Sequence, residues 1–432
     1  MIFSLDVRRA HKGDCMLLHF GTKQNPGLMV IDGGPAEVYV PQLKRRLLEI
    51  RKNRQLESQQ PLPVDVLMVS HVDDDHIRGI LDLTRELRAA AGAPLVQVQS
   101  LWHNSFDDII GNDPAELTAS VTAQFGAASV NGGSLPAGAG SDLLPGGTEE
   151  EQEIAESALL VLASVAQGHT LRGDAETLGW TLNAEHDGKL IVAAKDPVDL
   201  GNGLKLTVAG PMLEALKELQ KKHNEWLEER KRKKKKSNEA ALAAYVDESV
   251  ANLSSIVVLA ECEGKRVLLT GDARGDKVLE GLEETGLLAK GRTLHVDLLK
   301  VPHHGSSNNL DDDFFERITA DHYVFSGDGK HGNPERESME MLLKARGKKP
   351  FTIHLTYPVA DVDKGRKADW EMEQKKEKAR KAKGSEKPVR ENWSAAKHAL
   401  APVLKKRAKG QKLSIVYKTK PHVIDLKDPL GY

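Results

Sequence analysis

The stretch MVSHVDDDHIRGI, Met68 to Ile80, places two histidines and three aspartates in the six positions from His71 to His76, directly after an apolar run. Ionised carboxylates packed that closely repel one another, and a solvated polar turn gives no reason to collect them. A divalent cation does, because it converts repulsion into shared coordination by imidazole nitrogens and carboxylate oxygens. The same residue types recur behind other strand-like runs: Asp14 in HKGD, Asp32 in VIDGG, Asp272 in LLTGDA, His303 and His304 in KVPHHGSS, and His331 in FSGDGKHGNP. One rim of a sheet structure would collect them all, and that convergence points to a chemical site more strongly than any single motif.

The elements that must do this positioning fall into two β-rich blocks. MIFSLDV, CMLLHF, GLMVIDGG and VDVLMVSH are short apolar runs stopped by Gly, Asp or a polar cluster, whereas VPQLKRRLLEIRKNRQ and IRGILDLTRELRAA carry apolar residues at helical spacing. The Asp/His cluster therefore sits on the loop that leads from a buried strand into a helix. The second block reads LKLTVAGP, then SSIVVLAECEGKRVLLTGDA with CEGKR as a hairpin turn, then HVDLLKVPHHGSS, HYVFSGD and FTIHLTYP. Between the blocks, about residues 104–200 hold the loop VNGGSLPAGAGSDLLPGG and the helical EEEQEIAESALLVLASVAQ, read as an insertion. Strands alternating with helices in two successive halves predict an α/β layered fold. Its main domain is expected over residues 1–345, followed by a 346–432 extension made of a lysine-rich helix and a closing hairpin, KLSIVYKTKPHVIDL.

With 432 residues the chain can bury a sizeable core, and its net charge of −2 excludes little. Its two cysteines, Cys15 and Cys262, lie in apolar segments and read as core, which leaves no disulfide framework and no thiolate zinc cage. No secretory leader and no membrane-spanning apolar run is found, so a cytoplasmic protein with no membrane partner is expected. The lone histidines His103 and His169 read as ordinary satisfied polar residues. A run of seven basic residues, Arg230, Lys231, Arg232, Lys233, Lys234, Lys235 and Lys236, reads either as a solvated helix face or as a salt-sensitive contact to a phosphate backbone.

SHVDDDHIRGI resembles the signature His-x-His-x-Asp-His loop of the metallo-β-lactamase superfamily, with VIDGG before it and LLTGDA and LKVPHHGSS after it in the expected order. In motif the chain is most similar to the hydrolase domain of competence-type DNA-uptake proteins. The resemblance covers residues 1–100 and 204–345 and implies a four-layer αββα sandwich with a metal site at one edge, between the sheets. It further implies that His71 and Asp73 serve one of two divalent ions, zinc or manganese, and that Asp75 and His76 serve the other. Asp272 would bridge them, and His304 would add a ligand. Asp14 and Asp32 would orient these groups by hydrogen bonds.

Two departures stand out. Asp73 takes the place of the second histidine and hardens the site toward manganese or magnesium as well as zinc. The histidine that usually completes the first position has no counterpart; VANLSSIVVL offers Asn252 or Ser254 on that side, leaving one metal position short of a ligand. The implied chemistry is hydrolysis by water activated between two ions, with Asp75 orienting that water and His303 or His331 protonating the leaving group or binding a phosphoryl oxygen. The expected substrate is a phosphodiester in a nucleic acid or nucleotide, making the chain a nuclease or phosphodiesterase. Hydrolysis of an acyl or thioester bond in a small metabolite, or a non-catalytic regulatory module of the same fold, are the competing readings.

Overall fold

The computed structural model of the protein describes residues 1–57, 59–105, 167–217, 254–382, 384–405, 412–417 and 422–432. One sheet contains β1 (Ile2–Val7), β2 (Met16–Gly21), β3 (Pro26–Ile31), β4 (Leu62–Met68), β5 (Val96–Trp102), β6 (Thr181–Leu182) and, from the far end of the chain, β15 (His422–Asp425). Their spatial order is β15-β1-β2-β3-β4-β5-β6. The other contains β7 (Val198–Asp199), β8 (Leu204–Gly210), β9 (Val257–Cys262), β10 (Lys265–Leu269), β11 (Leu294–Lys300), β12 (Ile318–Phe325), β13 (Phe351–Leu355) and β14 (Leu413–Val416), ordered β14 to β7.

Both sheets are buried on both faces, which is why their strands read as continuous apolar runs. In β3, Met29 and Ile31 face the opposite sheet while Leu28 and Val30 face outward into a helical layer; in β10, Val267 and Leu269 point inward and Leu268 outward. Helices α1 (Arg45–Asn53) and α2 (Asp74–Ala89) cover the first sheet through Leu47, Ile50, Ile77 and Ile80. Helices α3 (Gly275–Glu284), α4 (Asp312–Arg317), α5 (Arg336–Arg346) and α6 (Val359–Ala382) cover the second through Val278, Leu282, Phe314, Met339, Leu342 and Val362. Three apolar layers thus separate helix, sheet, sheet and helix, giving the four-layer αββα sandwich that the resemblance implies. The CEGKR turn is a two-residue hairpin connection: Glu263 and Gly264 both have positive φ, 51° and 75°, the twist that joins antiparallel β9 and β10 without splaying them.

The expected C-terminal hairpin does not form. β14 pairs in parallel with β13, Leu413 opposite Phe351, while β15 pairs antiparallel with β1, Val7 opposite His422, in the other sheet. An isolated two-stranded hairpin has no core to bury its apolar face. Split between two sheets, Leu413 and Ile424 each enter a different core. The strands that follow residue 345, β13, β14 and β15, are therefore woven into both sheets rather than appended to them. Of the 104–200 insertion, residues 106–166 lie outside the described residues; residues 167–178 are helical and bring Leu171 and Ala175 onto the first sheet. Among the described residues no helix is long and apolar enough to cross a membrane.

Candidate metal centre

The centre lies where the chain leaves the carboxyl ends of neighbouring strands, the usual place for a site in an α/β sheet. Asp32 follows β3, Ser70 and His71 follow β4, Asp272 follows β10, His303 and His304 follow β11, and Ser326 follows β12. Asp73 caps α2, but its carboxylate faces His71 rather than the free amides of the helix. The strand-to-helix approach depends on Gly33 and Gly79. A Cβ on Gly79 would lie 2.0 Å from the Gly33 carbonyl oxygen, and one on Gly33 would lie 2.4 Å from the Ile80 nitrogen. With no side chain between them, Gly33 N–H donates to the His76 carbonyl at 2.7 Å and Gly79 N–H to Gly34 at 2.9 Å, fixing the start of α2 against the end of β3. His303 and His304 both take left-handed conformations, φ 46° and 54°, an arrangement found where surrounding structure dictates a functional geometry.

Four histidines surround Asp272. Its Oδ1 is 3.3 Å from His76 Nε2; its Oδ2 is 3.3 Å from His304 Nε2, 3.6 Å from His303 Nε2 and 3.8 Å from His71 Nε2. Asp75 Oδ2 lies 3.7 Å from His304 Nε2 and its Oδ1 4.0 Å from His76 Nε2, while Asp73 Oδ2 lies 3.6 Å from His71 Nε2. Ligands bound at about 2.0–2.2 Å to a common ion stand about 3.0–3.6 Å apart, so these separations are close to those a divalent cation imposes. Among the described residues, the Nε2 atoms of His71, His76 and His304 and Oδ1 of Asp272 are buried without a hydrogen-bond partner. Buried polar atoms are normally satisfied, and a cation would satisfy these together.

The opposite edges of the rings are held. His76 Nδ1 is 2.9 Å from Asp32 Oδ2, and Asp32 in turn accepts hydrogen bonds from the backbone N–H and hydroxyl of Ser70, both at 2.7 Å. His304 Nδ1 is 2.8 Å from Ser326 Oγ and 3.5 Å from Asp14 Oδ1. These contacts turn both Nε2 atoms toward Asp272. Ligand atoms of Asp14, His76, Asp272 and His304 also lie within 4.8 Å of one another. Asp14 nevertheless stands on the Nδ1 side of His304, with its Oδ2 2.6 Å from Lys300 Nζ, which suits it to orientation rather than coordination.

The electrostatics follow from this crowding. Burial raises the pKa of Asp272, but the imidazoles of His304, His76 and His303 outweigh it and hold the carboxyl well below its ordinary value. Burial lowers the pKa of His76 and His304, yet Asp272 reverses the shift, aided by Asp32 for His76 and by Asp14 for His304; His76 rises well above 6.5 and His304 to about 9. The carboxylates around His76 and His304 thus favour the protonated imidazoles. Metal binding at such a centre must displace those protons.

Each residue read from the sequence as a ligand, His71, Asp73, Asp75, His76, Asp272 and His304, is thus brought to one place, with Asp14 and Asp32 behind the imidazoles. His303 faces Asp272 from the more open side, its side chain 30% exposed. His331 lies exposed in the one-turn 3-10 helix Lys330–Gly332, its backbone N–H donating to Asp369 at 3.1 Å. Asn252 and the basic residues Arg230 to Lys236 lie outside the described residues. Ser254 is buried, but it is Ser255 whose hydroxyl accepts from the Asp272 N–H, at 3.3 Å. Sequence reasoning also missed Ser70, Ser326 and Lys300. For Lys300 a signal existed, since a lysine inside the apolar run VDLLKVP needs either an exit to water or a buried partner.

Residues 12–171 match the family model described as Metallo-beta-lactamase superfamily. That span includes Asp14, Asp32 and the His71–His76 loop; Asp272, His303 and His304 lie beyond it and reach the same place through the fold. Among curated proteins, the chain is similar to Microtubule-associated protein 1A of Mus musculus, 34% identical over 77 residues, which are 17% of this chain and 3% of that protein. It is also similar to Microtubule-associated protein futsch of Drosophila melanogaster, 42% identical over 57 residues, 13% of this chain and 1% of that protein. The chain therefore spans a small fraction of the length of these relatives. Among solved structures, a protein of unknown function from Enterococcus faecalis V583 aligns over 97% of this chain and 77% of its own, with 12% identity and a TM-score of 0.27.

Proposed function

We propose that this chain is a metal-dependent hydrolase of the metallo-β-lactamase type acting on phosphodiester bonds. The observation that carries the reading is the convergence on the carboxylate of Asp272 of three buried Nε2 atoms that lack a hydrogen-bond partner among the described residues. His71, Asp73 and Asp272 would hold one divalent ion, and Asp75, His76, Asp272 and His304 a second. Ions bound there would activate water and neutralise charge on the attacked group. The chain's own residues do the rest. Asp32 and Asp14 fix the imidazoles, Asp73 and Asp75 supply hard oxygen donors suited to manganese as well as zinc, and His303 is open enough to give a proton to a leaving oxygen. His331 would meet the substrate at the rim, and Arg230 to Lys236 would contact a longer polyanion.

The test is metal analysis of purified protein with hydrolysis of bis(p-nitrophenyl) phosphate under added manganese or zinc. His76→Ala and Asp272→Asn should lose bound metal and reduce turnover by about 100-fold or more, a range already reached when partners of metal ligands are removed, while circular dichroism stays unchanged. Full turnover in either variant rejects the hydrolase reading. Turnover of a thioester in place of the phosphodiester keeps the centre and rejects the substrate class.

A further inference from the structure

Lys300, the last residue of β11, is fully buried. A lysine in that position must be compensated. Its Nζ lies 2.6 Å from Asp14 Oδ2 and donates to the Val301 carbonyl at 3.1 Å. Asp14 Oδ1 lies 3.5 Å from His304 Nδ1, and His304 Nε2 lies 3.3 Å from Asp272. An ammonium, a carboxylate and an imidazole therefore stand in sequence behind the centre. The loop carrying Asp14 also braces a second ligand. Asp14 N–H donates to the Asp75 carbonyl at 3.2 Å, and a Cβ on Gly13 would lie 1.9 Å from that same oxygen.

The two carboxylate–histidine pairs differ in one respect. Asp32, behind His76, is held by neutral donors of Ser70. Asp14, behind His304, is held by a cation. Resting on the metal-centre reading above, we propose that Lys300 is a positioning residue for one of the two metal positions: by anchoring Asp14 it fixes the His304 imidazole and the Asp75 backbone without touching the ion. A buried carboxylate released from its lysine either draws a proton or swings away, and both outcomes disturb His304 and Asp75 together while leaving His71 and Asp73 in place.

The experiment titrates manganese and zinc separately into chelator-treated full-length protein by calorimetry, comparing wild type with Lys300→Met and with the double variant Lys300→Met/Asp14→Leu. Melting temperature in chelator monitors folding. Lys300→Met should weaken one class of sites by about 10–100-fold and spare the other. The double variant replaces both charges by apolar groups and should recover melting temperature without recovering metal affinity, because the group behind His304 is gone. Wild-type affinity in a folded Lys300→Met overturns the proposal. If that variant does not fold, wild-type affinity in the double variant overturns it, since the pair would then serve stability alone. A wild-type protein that binds neither ion instead rejects the metal-centre reading itself.

Discussion

His304 concentrates the electrostatics of the centre in a single group. It sits at about 9 because Asp272 and Asp14 oppose the burial that would otherwise lower it. A pKa raised on folding means that the charged pair contributes fully below the ordinary 6.5 and is lost as pH climbs through 9. His76 shifts in the same direction. The melting temperature of the metal-free protein should therefore fall between pH 6.5 and 9, whereas ions that displace those protons should bind more tightly over the same interval. Differential scanning fluorimetry with chelator and with manganese checks this: the two melting curves should diverge as pH rises, and parallel profiles would overturn this account of the imidazoles. Asp272, shifted downward, acts at the other end of the scale, and its contribution disappears only in acid.

The junction of β3 with α2 is what delivers Asp75 and His76, and Gly33 against Gly79 is its narrowest contact. Gly79→Ala would place a methyl 2.0 Å from a carbonyl oxygen that has no freedom to move. It should destabilise by about 1–3 kcal/mol and weaken metal binding, because the amino end of α2 must shift. Gly173→Ala, in the helical residues 167–178 with open space around it among the described residues, should instead stabilise by about 0.5–1 kcal/mol. Urea unfolding separates the two; equal effects would mean the close approach does not matter. Elements of this kind were legible in the sequence because doubly buried strands leave continuous apolar runs and turn residues punctuate them, and HVDDDH was legible because its charges have no local explanation. Lys300 was legible only in part, since a lysine ending VDLLK needs either water or a buried partner and the neighbouring layers decide between them. KLSIVYKTKPHVIDL misled for a related reason: local pattern proposes strands, but sheet edges elsewhere in the chain choose their partners, β13 for β14 and β1 for β15.

At the scale of the whole molecule, the sequence ends of the described chain lie side by side. β15 closes the first sheet against β1, Ser4 Oγ donates to Asp425 at 2.7 Å, and the Met1 amino group meets Asp428 at 2.7 Å. Behind them the buried Arg46 contacts Asp6 and the Tyr432 carbonyl. Deleting residues 422–432 should leave β1 as a bare edge and strip Arg46 of one partner. Hydrogen exchange would register rapid loss of β1 amide protection while β11 and β12 stay slow, and an unchanged β1 would show that β15 is dispensable. The same pairing has a consequence during synthesis. β1 leaves the ribosome long before its outer neighbour β15, and at about 5–20 residues per second the interval is on the order of tens of seconds. Throughout that time IFSLDV, fully buried in the finished sheet, presents an unpaired edge of the sort that recruits other nascent strands. Yield in cells should thus depend on chaperone capacity more than the stability of the finished fold would suggest.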